Sequence, residues 1–221
     1  MEALALDSSR ALKTARTKGL VGIGFVLGAA SLPFARWVHA SQDIEHEVIN
    51  EGVYWACVIA LLLYVRFIER RPMSSVGFRR PTLKDLGASV GGGVLIIACL
   101  AGMYYFVFPL LHWSENQQVG DIQQLPYWLN VIIVLRAAVS EELFYRSYSI
   151  ERIQELTGNK FLAGVVPCTV FTALHIGFWG WHHVFIAGLA GIILTLLYIW
   201  RRNVWTNMIA HFLVDATAFL A

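Results

Sequence analysis

Seven apolar segments, each close to the length that crosses a bilayer, leave this chain few folds to choose from. A helix needs about 20 mostly apolar residues to span a hydrocarbon core of about 30 Å. Inside such a core every backbone N–H and C=O must be paired within the protein, which selects helices here. The segments are Gly19–Val38, Gly52–Ile68, Leu86–Leu111, Tyr127–Tyr148, Phe161–Gly177, His183–Trp200 and Val204–Ala221. They predict an all-α membrane protein of about seven transmembrane helices. Only 14% of residues are charged, whereas a soluble domain has about a quarter. The fifth and last segments are short, and the fifth leaves room for a partly re-entrant course. Val38-His39-Ala40 offers a small-residue cleavage site, but the preceding stretch is long for a signal peptide and Arg36-Trp37 interrupts it. The first segment is therefore expected to remain as a span.

The loops give an orientation. Met1–Lys18 carries Arg10, Lys13, Arg16 and Lys18, and Glu69–Lys84 carries Arg70, Arg71, Arg79, Arg80 and Lys84. Arg152 and Lys160 follow the fourth segment, and Arg201 and Arg202 follow the sixth. The alternate loops, Ala40–Glu51, His112–Pro126 and Phe178–His182, hold no Lys or Arg. Because basic loops stay in the cytoplasm, the N-terminus is expected inside and the C-terminus outside. The basic residues sit at segment ends rather than in one patch, so the net charge of +2 gives no reason to expect nucleic acid. Cys57, Cys99 and Cys168 lie in apolar runs and read as small hydrophobes rather than a disulfide framework. Gly24-x-x-x-Gly28 and Gly87-x-x-x-Gly91 predict close helix contacts. The mixed apolar and basic stretch Met73–Lys84 predicts a segment on the inner interface.

Three polar clusters lie within the apolar segments: Glu141-Glu142-x-x-x-Arg146, Phe171-x-x-x-His175 and His211-x-x-x-Asp215. Ionisable groups at membrane depth cost roughly 2.5–3.5 kcal/mol each on insertion scales, so their recurrence on three spans points to function. Glu142 and Arg146 are four residues apart, share a helix face and can pair. Glu141 is rotated from Glu142 by about 100° and stays free to act as a general base, with Glu142 and Arg146 as its brace. Phe171 lies one turn before His175, so its ring can orient the imidazole. His211 and Asp215 also share a face. That pair reads equally as a structural hydrogen bond, a metal-ligand pair or an oxyanion-binding pair. His182 and His183, beside Trp179 and Trp181, are explained by aromatic anchoring at the outer interface. Arg136, in the outer half of its span, has no evident partner.

Helix rise tests whether the clusters meet. At about 1.5 Å per residue, Glu141 lies about 20 Å from the outer start of its span and His211 about 10 Å from its inner start. In a core of about 30 Å these two are level, while His175 falls about 10 Å farther out. Tilt, or a fifth span that starts later than Phe161, would close the gap.

These residues resemble the CPBP intramembrane proteases, which include the type II CAAX prenyl endopeptidases and bacterial bacteriocin-processing and self-immunity proteins. The family's Glu-Glu-x-x-x-Arg, Phe-x-x-x-His and His-x-x-x-Asn/Asp stand here in order, as Glu141-Glu142-Leu143-Phe144-Tyr145-Arg146, Phe171-Thr172-Ala173-Leu174-His175 and His211-Phe212-Leu213-Val214-Asp215. Val76-Gly77-Phe78-Arg79-Arg80-Pro81 is similar to a segment such proteins carry upstream. The resemblance is specific from about Tyr127 to Ala216. It divides one membrane domain into a lead with three spans (1–126) and a catalytic core (127–221) that places the site on the last four spans.

The resemblance implies an endopeptidase acting on a membrane-associated or lipid-linked peptide or protein. Residues matching Glu141 and His175 would activate a water, and those matching His211 and Asp215 would bind the oxyanion. Asp215 stands where the prenyl endopeptidases commonly have Asn, and an ionised Asp cannot donate to an oxyanion. It could instead orient His211, hold a proton or ligate a metal. No cofactor is slightly favoured. The alternative is Zn2+ on His175, His211 and Asp215 with Glu141 as base, a metalloprotease arrangement. Membrane lipid and a multi-pass place in a bacterial inner or plasma membrane complete the expectation. His46-Glu47-x-x-Asn50 lacks the second His of a zinc-protease helix and falls in an outer loop, and no Gly-x-Gly-Asp or glycine-framed nucleophilic serine occurs. Two other classes use similar residues: a proton-coupled transporter, although no paired broken helices are evident, and a non-catalytic immunity or scaffold protein.

Overall fold

Two asparagines set where two of the site-bearing helices begin, and a threonine caps the helix that packs beside them. The Asn159 and Asn203 side chains accept from first-turn amides, and Thr82 forms a reciprocal capping box with Asp85. The computed structural model describes residues 18–29, 44–113 and 117–220, and only the backbone of 117–119 and 177–178. Among the described residues all regular structure is helical. Helix α1 (Lys18–Ala29) precedes α2 (Ile44–Leu63), which runs on as a π-helical turn, Tyr64–Ile68. A 3-10 turn, Met73–Val76, leads to α3 (Leu83–Gly102), prolonged to Leu110. The short α4 (Gln117–Gln123) precedes α5 (Tyr127–Glu141), then a π-helical segment Glu142–Ser149 and α6 (Ile150–Thr157) without a break. Helices α7 (Lys160–Trp179), α8 (His183–Arg201) and α9 (Val204–Phe219) follow. Helix α9 is central and packs against α3, α5 and α8, while α7 lies against α8 and α6.

Among the described residues three helices can cross a membrane by length and composition: Ile44–Ile68, Leu83–Leu110 and His183–Arg201. Lys18–Ala29 and Lys160–Ile176 are shorter apolar helices. The bundle exposes large apolar side chains along α2 and α3, among them Val53, Ile59, Leu63, Val90 and Leu95, as a lipid-facing surface would. Helices α5 and α9 are less apolar because they bury the polar residues of the site. The protein is thus an all-helical integral membrane protein. Residues 30–38 of the expected first span lie outside the described residues.

Four sequence expectations are corrected. Helix α2 starts at Ile44 rather than Gly52, so His46-Glu47-x-x-Asn50 lies on a helix and not in a loop. Its acids turn inward: Glu47 and Glu51 are buried, and Glu51 meets Arg136 at 3.1 Å. Arg136, which also stacks over Tyr54, thereby gains the partner the sequence did not reveal. Second, Arg152 is not a solvated loop charge. It is buried on α6 and pairs with Glu69 at 2.6 Å, because the fourth helix continues to Thr157. Third, the start of the Met73–Lys84 stretch is held by the protein interior. Val76 is fully buried, its carbonyl accepts from the Ser147 hydroxyl, and Phe78 packs edge-on against Trp205. Gly77 ends this turn at φ +76°, where a side chain would also strike the Tyr198 hydroxyl.

The fourth correction concerns the glycine pairs. On α1 a Cβ at Gly24 would overlap the Tyr148 hydroxyl and one at Gly28 the Phe144 ring, so this face seats the π-helical segment as expected. Around Gly87 and Gly91 nothing lies within 4 Å. The close approach on α3 is made instead by Gly92 against Leu197 and by Gly93, whose added Cβ would stand 3.2 Å from the Ala210 carbonyl. The three cysteines are free and half-buried, as their apolar settings suggested.

Candidate active site

The Glu-Glu-x-x-x-Arg run falls on the junction where α5 gives way to the π-helical segment Glu142–Ser149. Every residue of that segment is buried. Wider turns of this kind recur at functional sites because they re-aim side chains without ending the helix. Glu142 and Arg146 pair at 2.7 Å, as their spacing predicts, with both side chains almost wholly withdrawn from solvent.

Glu142 holds more than a brace. Its Oε1 accepts from Arg146 and, at 2.8 Å, from His211 Nδ1, while Oε2 accepts from the Asn207 amide at 3.0 Å. Three donors on one carboxylate offset its desolvation, which a single partner would not. The His211 ring is thereby fixed, and its other nitrogen is aimed at two further acids. Nε2 lies 3.4 Å from Asp215 Oδ2 and 3.9 Å from Glu141 Oε2. One imidazole thus sits among three carboxylates. Glu141, nearly buried, has His211 as its neighbour and takes no part in the Arg146 pair.

Arg146 also lays its guanidinium over the Phe171 ring at 4.1 Å and reaches the Gly191 carbonyl at 3.4 Å. Gly191 permits this approach, since a Cβ there would press on the Phe171 ring at 3.1 Å. Phe171 in turn contacts His175, ring to ring at 4.3 Å, and its carbonyl accepts from His175 Nδ1 at 2.7 Å. That bond fixes the tautomer and leaves Nε2 with a lone pair. Phe171 packs against Tyr145 and Arg146, and His175 lies one turn beyond it along α7. On its own helix Glu141 precedes Arg146 by five residues. The depth read from the sequence changes for a definite reason. Helix α6 adds eight residues before the chain turns back, about 12 Å at 1.5 Å per residue, so α7 starts farther from the site than a chain turning at Tyr148 would allow.

His183 departs from expectation. It does stack on Trp179, but its ring also lies parallel to His175 with centroids 6.2 Å apart. His182 does sit in an aromatic cluster, with Trp113 and Trp181. Sequence reasoning also missed Asn207 and Gly191. The position of Asn207, one turn before His211 on the same face, was the available signal.

Among the described residues no group of three His, Cys, Asp or Glu side chains is arranged to hold a metal ion. His211 has Nδ1 committed to Glu142, and its Nε2 faces Asp215 and Glu141. The set His175, His211 and Asp215 therefore does not fit zinc as it stands.

No curated protein and no solved structure matches the chain. Residues 123–217 match the family model described as type II CAAX prenyl endopeptidase Rce1-like. That span takes in α5, the π-helical segment, α6, α7, α8 and nearly all of α9, hence every residue around Glu142 and His211. With its three motifs gathered on those helices, the part of the chain from 123 to 217 is similar to the CPBP/CAAX protease family.

Proposed function

We propose that this protein is an intramembrane endopeptidase in which Glu141 and His175 activate a water to cleave a membrane-associated or lipid-linked peptide. The observation that carries the reading is the His211 ring, held by Glu142 on one side and directed toward Glu141 and Asp215 on the other. In this mechanism Glu141 takes a proton from water while the His175 Nε2 lone pair orients it. The hydroxide adds to the scissile carbonyl, giving a tetrahedral oxyanion. The C–N bond then breaks as the protonated Glu141 returns its proton to the departing amine. His211 donates Nε2–H to the oxyanion, and Asp215 holds that ring in place beforehand.

Asp215 decides between this mechanism and a metal-dependent one. Chelators are expected to leave turnover of a membrane-anchored peptide unchanged. Asp215→Asn is expected to preserve or raise it, since an amide supplies an N–H that a carboxylate lacks. His211→Ala should lose about 10²–10³ in rate, the usual effect of one oxyanion donor. Zinc copurifying in stoichiometric amount, and lost together with activity in His175→Ala and His211→Ala, would overturn the metal-free mechanism.

The same proposal includes seven spans, an N-terminus inside the cell and a bacterial plasma membrane. Loop charge supports it, because the exposed Arg79, Arg80 and Lys160 share one end of the bundle with the Arg152 and Arg201 ion pairs. In a chain with its three cysteines replaced, cysteines at Arg80 and Lys160 should label only from the cytoplasm. Those at Glu45 and His112 should label only from outside. Labelling of Lys160 and His112 from the same side would remove the topology.

A further inference from the structure

Resting on the hydrolytic reading above, we propose that Asn207 is a positioning residue: its amide holds Glu142 in the orientation that presents Oε1 to His211 Nδ1. Asn207 is fully buried on α9, one turn before His211 and two before Asp215, so the three side chains follow one face. Its Nδ2 donates to Glu142 Oε2 at 3.0 Å and to the Leu194 carbonyl at 2.7 Å. Both amide hydrogens are then used. The orientation of the amide follows from chemistry. With acceptors on both sides, only the NH2 end can occupy this place, since the carbonyl end would bring three oxygens together.

The clamp supplies something Arg146 does not. Arg146 binds Glu142 only through Oε1, because its second terminal nitrogen is turned to the Gly191 carbonyl. A carboxylate held through Oε1 alone is less restrained about its last torsion, which has a broad minimum, than one held through both oxygens. Asn207 removes that freedom by fixing Oε2, and Leu194 on α8 fixes Asn207. The Glu142–His211 bond at 2.8 Å is therefore set from α8 through α9. A ring that turns even slightly takes Nε2 away from the place where the oxyanion forms. Misplacement by about 1 Å can cost about 10²-fold in rate.

The test uses the full chain in lipid discs, with the histidine ring nitrogens labelled for magnetic resonance. Asn207→Leu keeps nearly the same volume and removes both donors. We expect the His211 Nδ1–H signal, identified by its absence in His211→Gln, to shift or broaden. The His175 Nδ1–H signal, held by the Phe171 carbonyl, should remain as an internal control for folding. On a membrane-anchored peptide, kcat should fall about 10²-fold while KM stays unchanged. As a second variant, Asn207→Asp combined with Glu142→Gln restores an amide-to-carboxylate bond with the partners exchanged. It should recover part of the kcat lost in Asn207→Asp alone. An unchanged His211 signal with unchanged kcat overturns the proposal. So does loss of the His175 and His211 signals together in both variants, which would make Asn207 a packing residue. If wild-type protein has no turnover, or Glu141→Gln matches it, the hydrolytic reading fails, and the His211 signal still reports separately whether Asn207 sets the ring.

Discussion

Glu141→Gln should reduce peptide hydrolysis by about 10²–10⁴, the range over which general-base catalysis contributes, while the protein folds as before. The amide has the shape of the carboxylate but cannot take a proton from water. Folding should survive because Glu141 is not one of the groups that neutralise Arg146. Its neighbour His211, at 3.9 Å, keeps its bonds to Glu142 and Asp215. Activity and thermal unfolding of the purified variant decide the matter together. Wild-type turnover in Glu141→Gln on a proven substrate would remove Glu141 as the base, whatever the rest of the site does.

Glu142→Ala should act in the opposite way, on stability first. It leaves Arg146 buried without its carboxylate and also strips an acceptor from Asn207 and from His211 Nδ1. Breaking a buried ion pair by removing one partner typically costs about 3–5 kcal/mol, a large share of what holds a domain of this size together. A sharp fall in folded yield and a lowered unfolding temperature are expected. Glu142→Gln should lose less, because its carbonyl oxygen can still accept from Arg146 and His211, although its NH2 then faces the Asn207 NH2 and that one bond is lost. If Glu142→Ala unfolds at the wild-type temperature, Glu142 is not the centre of this network.

The two expectations concern adjacent residues, and they separate because the helix turns between them. That separation was legible in the sequence: Glu142 and Arg146 are four apart and Glu141 is not in register with either. The pairing of His211 with Asp215 and of Phe171 with His175 was legible for the same reason. Each pair lies within one helix, where the repeat is fixed by the backbone.

Relations between helices were not legible. The sequence could not show that Glu142 also serves His211 and Asn207, because those bonds cross from the π-helical segment to α9. Nor could it show that Arg136 meets Glu51, since the acid lay in what read as a loop. His183 looked like an interface residue from its tryptophan neighbours, and only the packing of α8 against α7 turned it toward His175. Gly87 and Gly91 carry the spacing of a packing motif but face open space, while the adjacent Gly92 and Gly93 make the contact.

The sequence by itself determined that this protein is a helical membrane bundle, and which of its intramembrane polar residues share a helix face. Hydropathy and the helical repeat are local properties, readable from neighbours along the chain. Only the tertiary structure decided the level at which the three motifs meet. That level depends on how far the fourth helix continues past Tyr148 before the chain reverses, and the reversal is set at Gly158, which adopts a left-handed conformation after α6. It also decided which carboxylate orients His211, because three acids lie near that ring and only the crossing of α9 over the π-helical segment gives each its atom.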